Sequence, residues 1–243
     1  MTDRTDGFLL GGRVRYAQPR TGFRSGIEPV LLAAAVPARS GELVLEGGSG
    51  AGAALLCLAS RVAGIEGLGI EQDPALVDLA RENAAANGLD RLRFRVARVE
   101  AIPETSAFSH AFANPPYHLS SGTRSPVPAR DRAKHAPEDA LCVWTAALAS
   151  RLQPRGTLTL ITPAARFPAC LAALQAARCG SVAQLPLWPR EGEPAKLVLV
   201  QAIKLGSGPF RVLPGLTLHA DPTGYTRAAD AVLRDGEALT LQR

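Results

Sequence analysis

From residue 42 onward, short apolar runs alternate with stretches of helical periodicity, the pattern of a parallel sheet covered by helices. Glu42–Glu46 (ELVLE), Gly67–Glu71 (GLGIE), Leu92–Val96 (LRFRV) and His110–Asn114 (HAFAN) read as four strands in succession. Thr157–Thr162 (TLTLIT), Val182–Leu187 and Lys196–Ile203 (KLVLVQAI) add three more. Leu55, Ala59 and Val62 share one face of a helix after the first strand. The stretch DPALVDLARENAAANG has Asp73 as N-cap, Pro74 at the first helical position and Gly88 as its stop, so it reads as a second helix. Leu141, Trp144, Leu148 and Leu152 form a helical stripe closed by Pro154 and Gly156 and read as core; Phe167–Arg178 is a further helix. The predicted fold class is α/β, a seven-stranded, mostly parallel sheet with helices on both faces. The predicted organisation is a single domain over 1–243, with a core over 41–205 and Gly- and Pro-bearing appendages over 1–40 and 206–243.

Composition narrows the class. With 243 residues, 47% hydrophobic and 20% charged, the chain can bury a sizeable core and is not of the disordered type. A net charge of +5 permits an acidic partner such as nucleic acid without demanding one. Nearly all of that charge is arginine, Lys134, Lys196 and Lys204 being the only lysines. Cys57, Cys142, Cys170 and Cys179 lie far apart with no C-x-x-C pair, which predicts free buried thiols in a reducing compartment, with neither zinc nor a disulfide framework. No two histidines have ligand spacing, so no metal site is expected. No apolar run approaches the ~18 residues a membrane span needs, which gives the expectation of a cytoplasmic protein with no membrane partner.

The first strand runs into EGGSGAG and the second ends in an acid. Such glycines let a backbone approach a ligand closely, and the following helix offers free N–H groups. A dinucleotide site would show G-x-G-x-x-G; here Gly48, Gly50 and Gly52 alternate, and Glu46 stands directly before them, where a pyrophosphate would be repelled. An acid in that position suits a ligand carrying an ammonium and a sulfonium. The turn, with Ser49, therefore favours S-adenosyl-L-methionine, and Glu71 is placed to accept hydrogen bonds from both ribose hydroxyls.

At the end of the fourth strand stand Asn114, Pro115, Pro116 and Tyr117. In open α/β sheets ligands bind beyond the carboxyl ends of the strands, so this stretch faces the same crevice as the glycine turn. An amino group on a planar system is a poor nucleophile, because its lone pair is delocalised. Two acceptors holding both N–H hydrogens favour pyramidalisation and stabilise the developing positive charge. The Asn114 side-chain oxygen and the Pro115 carbonyl can supply them; the prolines hold the backbone rigid, and Tyr117 offers a face for a flat group to stack on.

Those residues carry a family resemblance. Together with YAQPRTGFRSGIEPVLLAAAVPA (16–38), DRAKHAPEDALCVW (131–144) and LHADPTGYT (218–226), the chain resembles the class I S-adenosylmethionine-dependent amino-methyltransferases with an N-P-P-Y motif. Within them it is most similar to the bacterial tRNA (adenine-37-N6)-methyltransferases of valine tRNA. The resemblance implies a Rossmann-like sheet with its last strand antiparallel, tRNA as substrate, and Gln18, Gly22, Arg24 and Glu28 lining the entrance for cofactor or substrate. The cofactor set extends to Gln72, Arg98, Val99 and Asn114; Arg98 stands where the family has an acid near the adenine. Alternatives are an rRNA guanine N2- or protein glutamine N-methyltransferase, and an RNA-binding homologue with impaired catalysis. Arg124, Arg130, Arg132 and Lys134 in one loop, and Arg13, Arg15, Arg20 and Arg24 before the first strand, can reach the rim, where phosphate contacts would position an RNA. His118 borders the target amine on this reading.

Overall fold

The computed structural model describes residues 4–21, 26–102, 107–116, 140–220 and 223–242. An antiparallel hairpin comes first, β1 (Arg4–Leu9) and β2 (Val14–Pro19), followed by the buried helix α1 (Glu28–Ala35). The seven strands expected from the sequence follow as β3 (Leu43–Gly47), β4 (Glu66–Glu71), β5 (Leu92–Val96), β6 (Phe108–Ala113), β7 (Leu152–Pro163), β8 (Cys179–Trp188) and β9 (Leu197–Lys204). Their order across the sheet is β8-β9-β7-β6-β3-β4-β5. All neighbours are parallel except β9, which is antiparallel to both β7 and β8. Two short strands, β10 (Arg211–Val212) and β11 (Leu216–Thr217), pair with β8 and bring the sheet to nine strands.

The period of two along each strand sends alternate side chains to two separate cores. Val44, Phe112, Ile161 and Leu199 face one core with α1, α2 (Ala53–Arg61), α3 (Pro74–Ala86) and α6 (Arg227–Leu233). Leu45, Ala111, Leu160 and Val198 face the other, with α4 (Ala140–Ser150) and α5 (Phe167–Ala176). Helices thus cover both faces. α3 begins as its sequence dictates: Asp73 accepts the Ala75 N–H at 2.9 Å, Pro74 takes the first turn, and Gly88 stops the chain at φ +64°.

β7 starts earlier than the periodicity predicts. Leu152 already pairs with Phe108, and the Pro154–Gly156 segment is absorbed at a register shift before His110 meets Thr157. Three cysteines are buried as expected, but Cys142 is exposed on the outer side of α4. No helix among the described residues is long and apolar enough to cross a membrane, and no group of three potential metal ligands occurs among them.

Candidate active site

From β3 the chain builds outward to β4 and β5, then crosses back to place β6 and β7 on the other flank. The order of strands reverses beside β3, the position where open α/β sheets leave a crevice. Register fixes what emerges there. Gly47 pairs with Ile70 on one side and Ala113 on the other, so the next residues, Gly48, Glu71 and Asn114, come side by side at the carboxyl edge of the sheet.

Gly48, Gly50 and Gly52 adopt φ of +67°, +53° and +91°, conformations that side chains resist, and this lets the turn fold tightly before α2. Gly48 is also crowded: a Cβ there would lie 2.5 Å from the indole of Trp144, which reaches across from α4. Trp144 is therefore more than core. It is half-buried, and its benzo edge forms the floor under the first turn glycine. In β4, Gly67 and Gly69 leave room for Leu55 and Phe94, which brings α2 close to the sheet and its N-terminus to the crevice.

The acids divide the electrostatics. Glu71 Oε2 accepts the Gly50 N–H at 3.0 Å, while Oε1 accepts those of Gln72 at 2.7 Å and Asp73 at 3.0 Å. Glu46 is buried and its Oε2 accepts the Leu55 N–H at 3.1 Å, tying strand β3 to the first turn of α2. Burial pushes the Glu46 carboxyl up to about 8; the Leu55 hydrogen bond opposes this, and the neighbouring charge of Glu71 adds to it. Ser49 turns inward, its hydroxyl buried against Gly69 with no partner among the described residues.

Beyond β5, the Ala97 N–H bonds to the Glu71 carbonyl at 2.9 Å, which brings Arg98 and the buried Val99 to the same edge. The Arg98 side chain does not turn its charge into the crevice; it is 71% exposed and its Nη2 donates to Glu100 at 3.2 Å. Asn114 follows the last residue of β6, and its Oδ1 is buried with no hydrogen-bond partner among the described residues. Pro115 behind it is buried and Pro116 half-buried. Tyr117, His118, Arg124, Arg130, Arg132 and Lys134, and at the other end Gly22 and Arg24, lie outside the described residues. Of the entrance residues, Gln18 lies in β2 and Glu28 opens α1.

Sequence reasoning missed Asn83. This α3 residue is 3% exposed, and its carboxamide meets both polar groups of Ala17 in β2 and the Ala51 carbonyl in the glycine turn. The signal was present: a buried-face asparagine at helical spacing from Asn87 in ENAAANG. His110, by contrast, is structural. It lies at the opposite end of the sheet, 2.7 Å from Thr157 Oγ1 and 3.0 Å from Glu42 Oε2, and burial holds its pKa below the ordinary value.

The donor set fits S-adenosyl-L-methionine. The tight glycine turn leaves its backbone open to a ligand, Glu71 presents an acid at the second strand end, the buried Glu46 carboxyl adjoins the same turn, and the Asn114 oxygen has no partner among the described residues. The family described as "Methyltransferase domain" matches residues 38–186. A relative named tRNA1(Val) (adenine(37)-N6)-methyltransferase, from Shewanella sediminis, is 30% identical over 143 residues, 56% of this chain and 58% of that protein. The chain thus spans under two thirds of that relative's length. A protein of the same name from Aeromonas hydrophila is 30% identical over 212 residues, covering 85% of this chain and 87% of its own. Among solved structures, a predicted O-methyltransferase of Agrobacterium tumefaciens superposes with a TM-score of 0.73 over 88% of this chain and 99% of its own. At 22% identity that likeness is one of fold.

Proposed function

We propose, for a chain that belongs to the methyltransferase domain family, that it methylates an exocyclic amine of an RNA base, adenine N6 in a tRNA anticodon loop, with S-adenosyl-L-methionine as donor. The observation that carries this reading is the Asn114 Oδ1 at the end of β6, buried and without a partner among the described residues, one register step from the glycine turn. A buried acceptor without a donor costs about 1–3 kcal/mol, a cost that a substrate N–H removes on binding. When bound, S-adenosyl-L-methionine supplies an electrophilic methyl group on a sulfonium. Glu46 and the turn over Gly48–Gly52 hold its methionine end, Glu71 its ribose, and Gln72 and Val99 flank its base, with Gln18 at the entrance. Ser49 serves this turn from beneath rather than by side-chain contact.

Asn114 Oδ1 and the Pro115 carbonyl then hold the two hydrogens of the target amine and draw positive charge toward themselves as the nitrogen pyramidalises. Prolines 115 and 116 have no N–H to compete for those acceptors. Tyr117 stacks on the base, and His118 borders the amine. The arginines between residues 120 and 134, with Arg20 and Arg24, meet phosphates; Arg15, held by Asn87 at the far end of α3, and Arg13, paired with Asp235, lie away from the crevice and are not part of this set. The choice of RNA over other planar amines rests on the names of the Shewanella and Aeromonas relatives together with the net charge of +5. The pairing of Arg98 with Glu100 weighs against the reading of an impaired homologue, since it balances the charge that replaces the family's acid.

The test is transfer of labelled methyl to tRNA from a strain lacking its native modifications, followed by nucleoside analysis. N6-methyladenosine is the expected product. N2-methylguanosine would move the substrate to a guanine, label in protein alone would move it to glutamine, and tRNA binding without cofactor binding would mark an RNA-binding protein that has lost catalysis.

A further inference from the structure

Two asparagines one helical turn apart on α3 treat the outer edge of β2 as a strand would. Asn83 Oδ1 accepts the Ala17 N–H at 2.9 Å and its Nδ2 donates to the Ala17 carbonyl at 2.9 Å; Asn87 does the same for Arg15 at 2.9 and 2.8 Å. The other edge of β2 belongs to β1, so the pair of carboxamides completes the pairing of an otherwise open edge. The two are not equivalent. Asn83 Nδ2 has a second acceptor, the Ala51 carbonyl at 3.0 Å, whereas Asn87 Nδ2 turns back to the Asn83 carbonyl at 2.7 Å within its own helix.

Ala51 adjoins Gly50, whose N–H is held by Glu71 Oε2. A continuous polar chain therefore runs from β2 through Asn83 and the Ala51–Gly50 segment to the carboxylate at the end of β4. The three Asn83 bonds are buried, where a lost partner is costly and a satisfied one fixes geometry.

We infer that Asn83 is a positioning residue for the cofactor: it couples docking of the N-terminal hairpin to the shape of the glycine turn, so that the Gln18 end of β2 forms one wall of the cofactor pocket only when the turn is in its binding shape. Because such coupling is reciprocal, cofactor binding should tighten the hairpin as much as the hairpin tightens the cofactor. The inference rests on the cofactor assignment and is independent of the RNA substrate.

The experiment compares the wild-type chain with Asn83→Asp, Asn83→Ala and Asn87→Ala, using S-adenosylhomocysteine as the probe. Asn83→Asp keeps the shape and the acceptor but turns an oxygen toward the Ala17 and Ala51 carbonyls, so melting temperature is read beside Kd to separate the link from loss of the fold. Expected is a rise in calorimetric Kd of about tenfold for both Asn83 variants, the scale of losing the one bond that reaches the turn, Asn83 Nδ2 to the Ala51 carbonyl. Asn87→Ala should lower the melting temperature by less, since its bonds to Arg15 are exposed, and leave Kd within about twofold, since they stop at the hairpin. In hydrogen exchange, the probe should slow the Arg15 and Ala17 amides in the wild-type chain and fail to do so in Asn83→Asp. Unchanged affinity in Asn83→Asp, or equal weakening by Asn87→Ala, overturns the coupling while the cofactor assignment stands; absence of probe binding to the wild-type chain overturns both.

Discussion

Glu46 combines two demands that pull its proton in opposite directions. Burial lifts its carboxyl from the ordinary 4.5 to about 8, so without a cation beside it the group is mostly protonated at neutral pH. A folded-state value above the unfolded one means that its contribution to stability is complete below about 4.5 and is lost as pH rises through about 8. Glu46→Gln should therefore flatten the fall in stability across that window, read as melting temperature against pH. A ligand ammonium reverses the preference and expels the proton. Calorimetry with S-adenosylhomocysteine at pH 7, where the ligand amine is already protonated, should show a binding enthalpy that varies with the ionisation enthalpy of the buffer through release of the Glu46 proton; a buffer-independent enthalpy at pH 7 would place the ammonium elsewhere. Asn114 tests the other half of the site. Asn114→Ala should bind cofactor as before and lose transfer by roughly 100-fold or more, the scale of removing one preorganised partner from a developing charge. The placement of both residues at strand ends beside the crevice was legible as motif, because an acid before alternating glycines and an amide before prolines are unusual there. The inward turn of Ser49 was not, since which face a turn residue presents depends on Gly69 of a neighbouring strand.

The glycine turn and α4 meet as elements. Gly48 needs a positive φ and also has the Trp144 indole where a Cβ would go. Gly48→Ala should cost about 1–2 kcal/mol for the backbone alone, with a steric penalty added. Pairing it with Trp144→Phe, which removes the benzo edge, should recover the steric part and leave the backbone part, a difference read by denaturant unfolding of the two variants. Full recovery would mean that the turn tolerates a left-handed alanine. The seven core strands were legible because each is an apolar run bounded by turn residues, and α3 because its cap, proline and stop glycine agree. The β1–β2 hairpin was not: most β1 side chains are exposed, and Gly7, Gly11 and Gly12 give it the look of a loop. What holds it is Asn83 and Asn87, whose pairing with β2 spans more than 60 residues of sequence and leaves no local trace. The helical stripe was read correctly as far as Leu148 and ran too far at Leu152, which opens β7; that Trp144 overhangs the sheet end was not legible, because periodicity does not say which residue does so.

Across the whole molecule, the segments before and after the central strands share a core with it. Leu31 and Leu32 of α1, Val232 and Leu233 of α6, and Leu241 near the end of the described chain pack in the cluster that also holds Leu55 and Phe112. The Leu239 N–H donates to the Ala34 carbonyl at 2.8 Å, Arg211 donates to the Leu241 carbonyl at 2.9 Å, and Gln242 Nε2 reaches the Ser181 carbonyl at 2.7 Å. The final residues thus tie α1 to the β8 edge of the sheet. Leu241 is 2% exposed, so Leu241→Ala should cost about 2–5 kcal/mol for lost burial and the cavity left behind. In a chain of this length that corresponds to a fall in melting temperature of roughly 5–15 °C. Cofactor affinity should stay within about twofold: β8 stands four strands from β3 in the sheet order, on the order of 19 Å at the usual strand spacing, with no shared partner at the glycine turn. The transition should also remain single, because the same cluster joins the first helix, the sheet and the tail. Two separate melting steps in calorimetry, the first lost on removing residues 239–243, would show instead that the tail and α1 fold as a unit of their own.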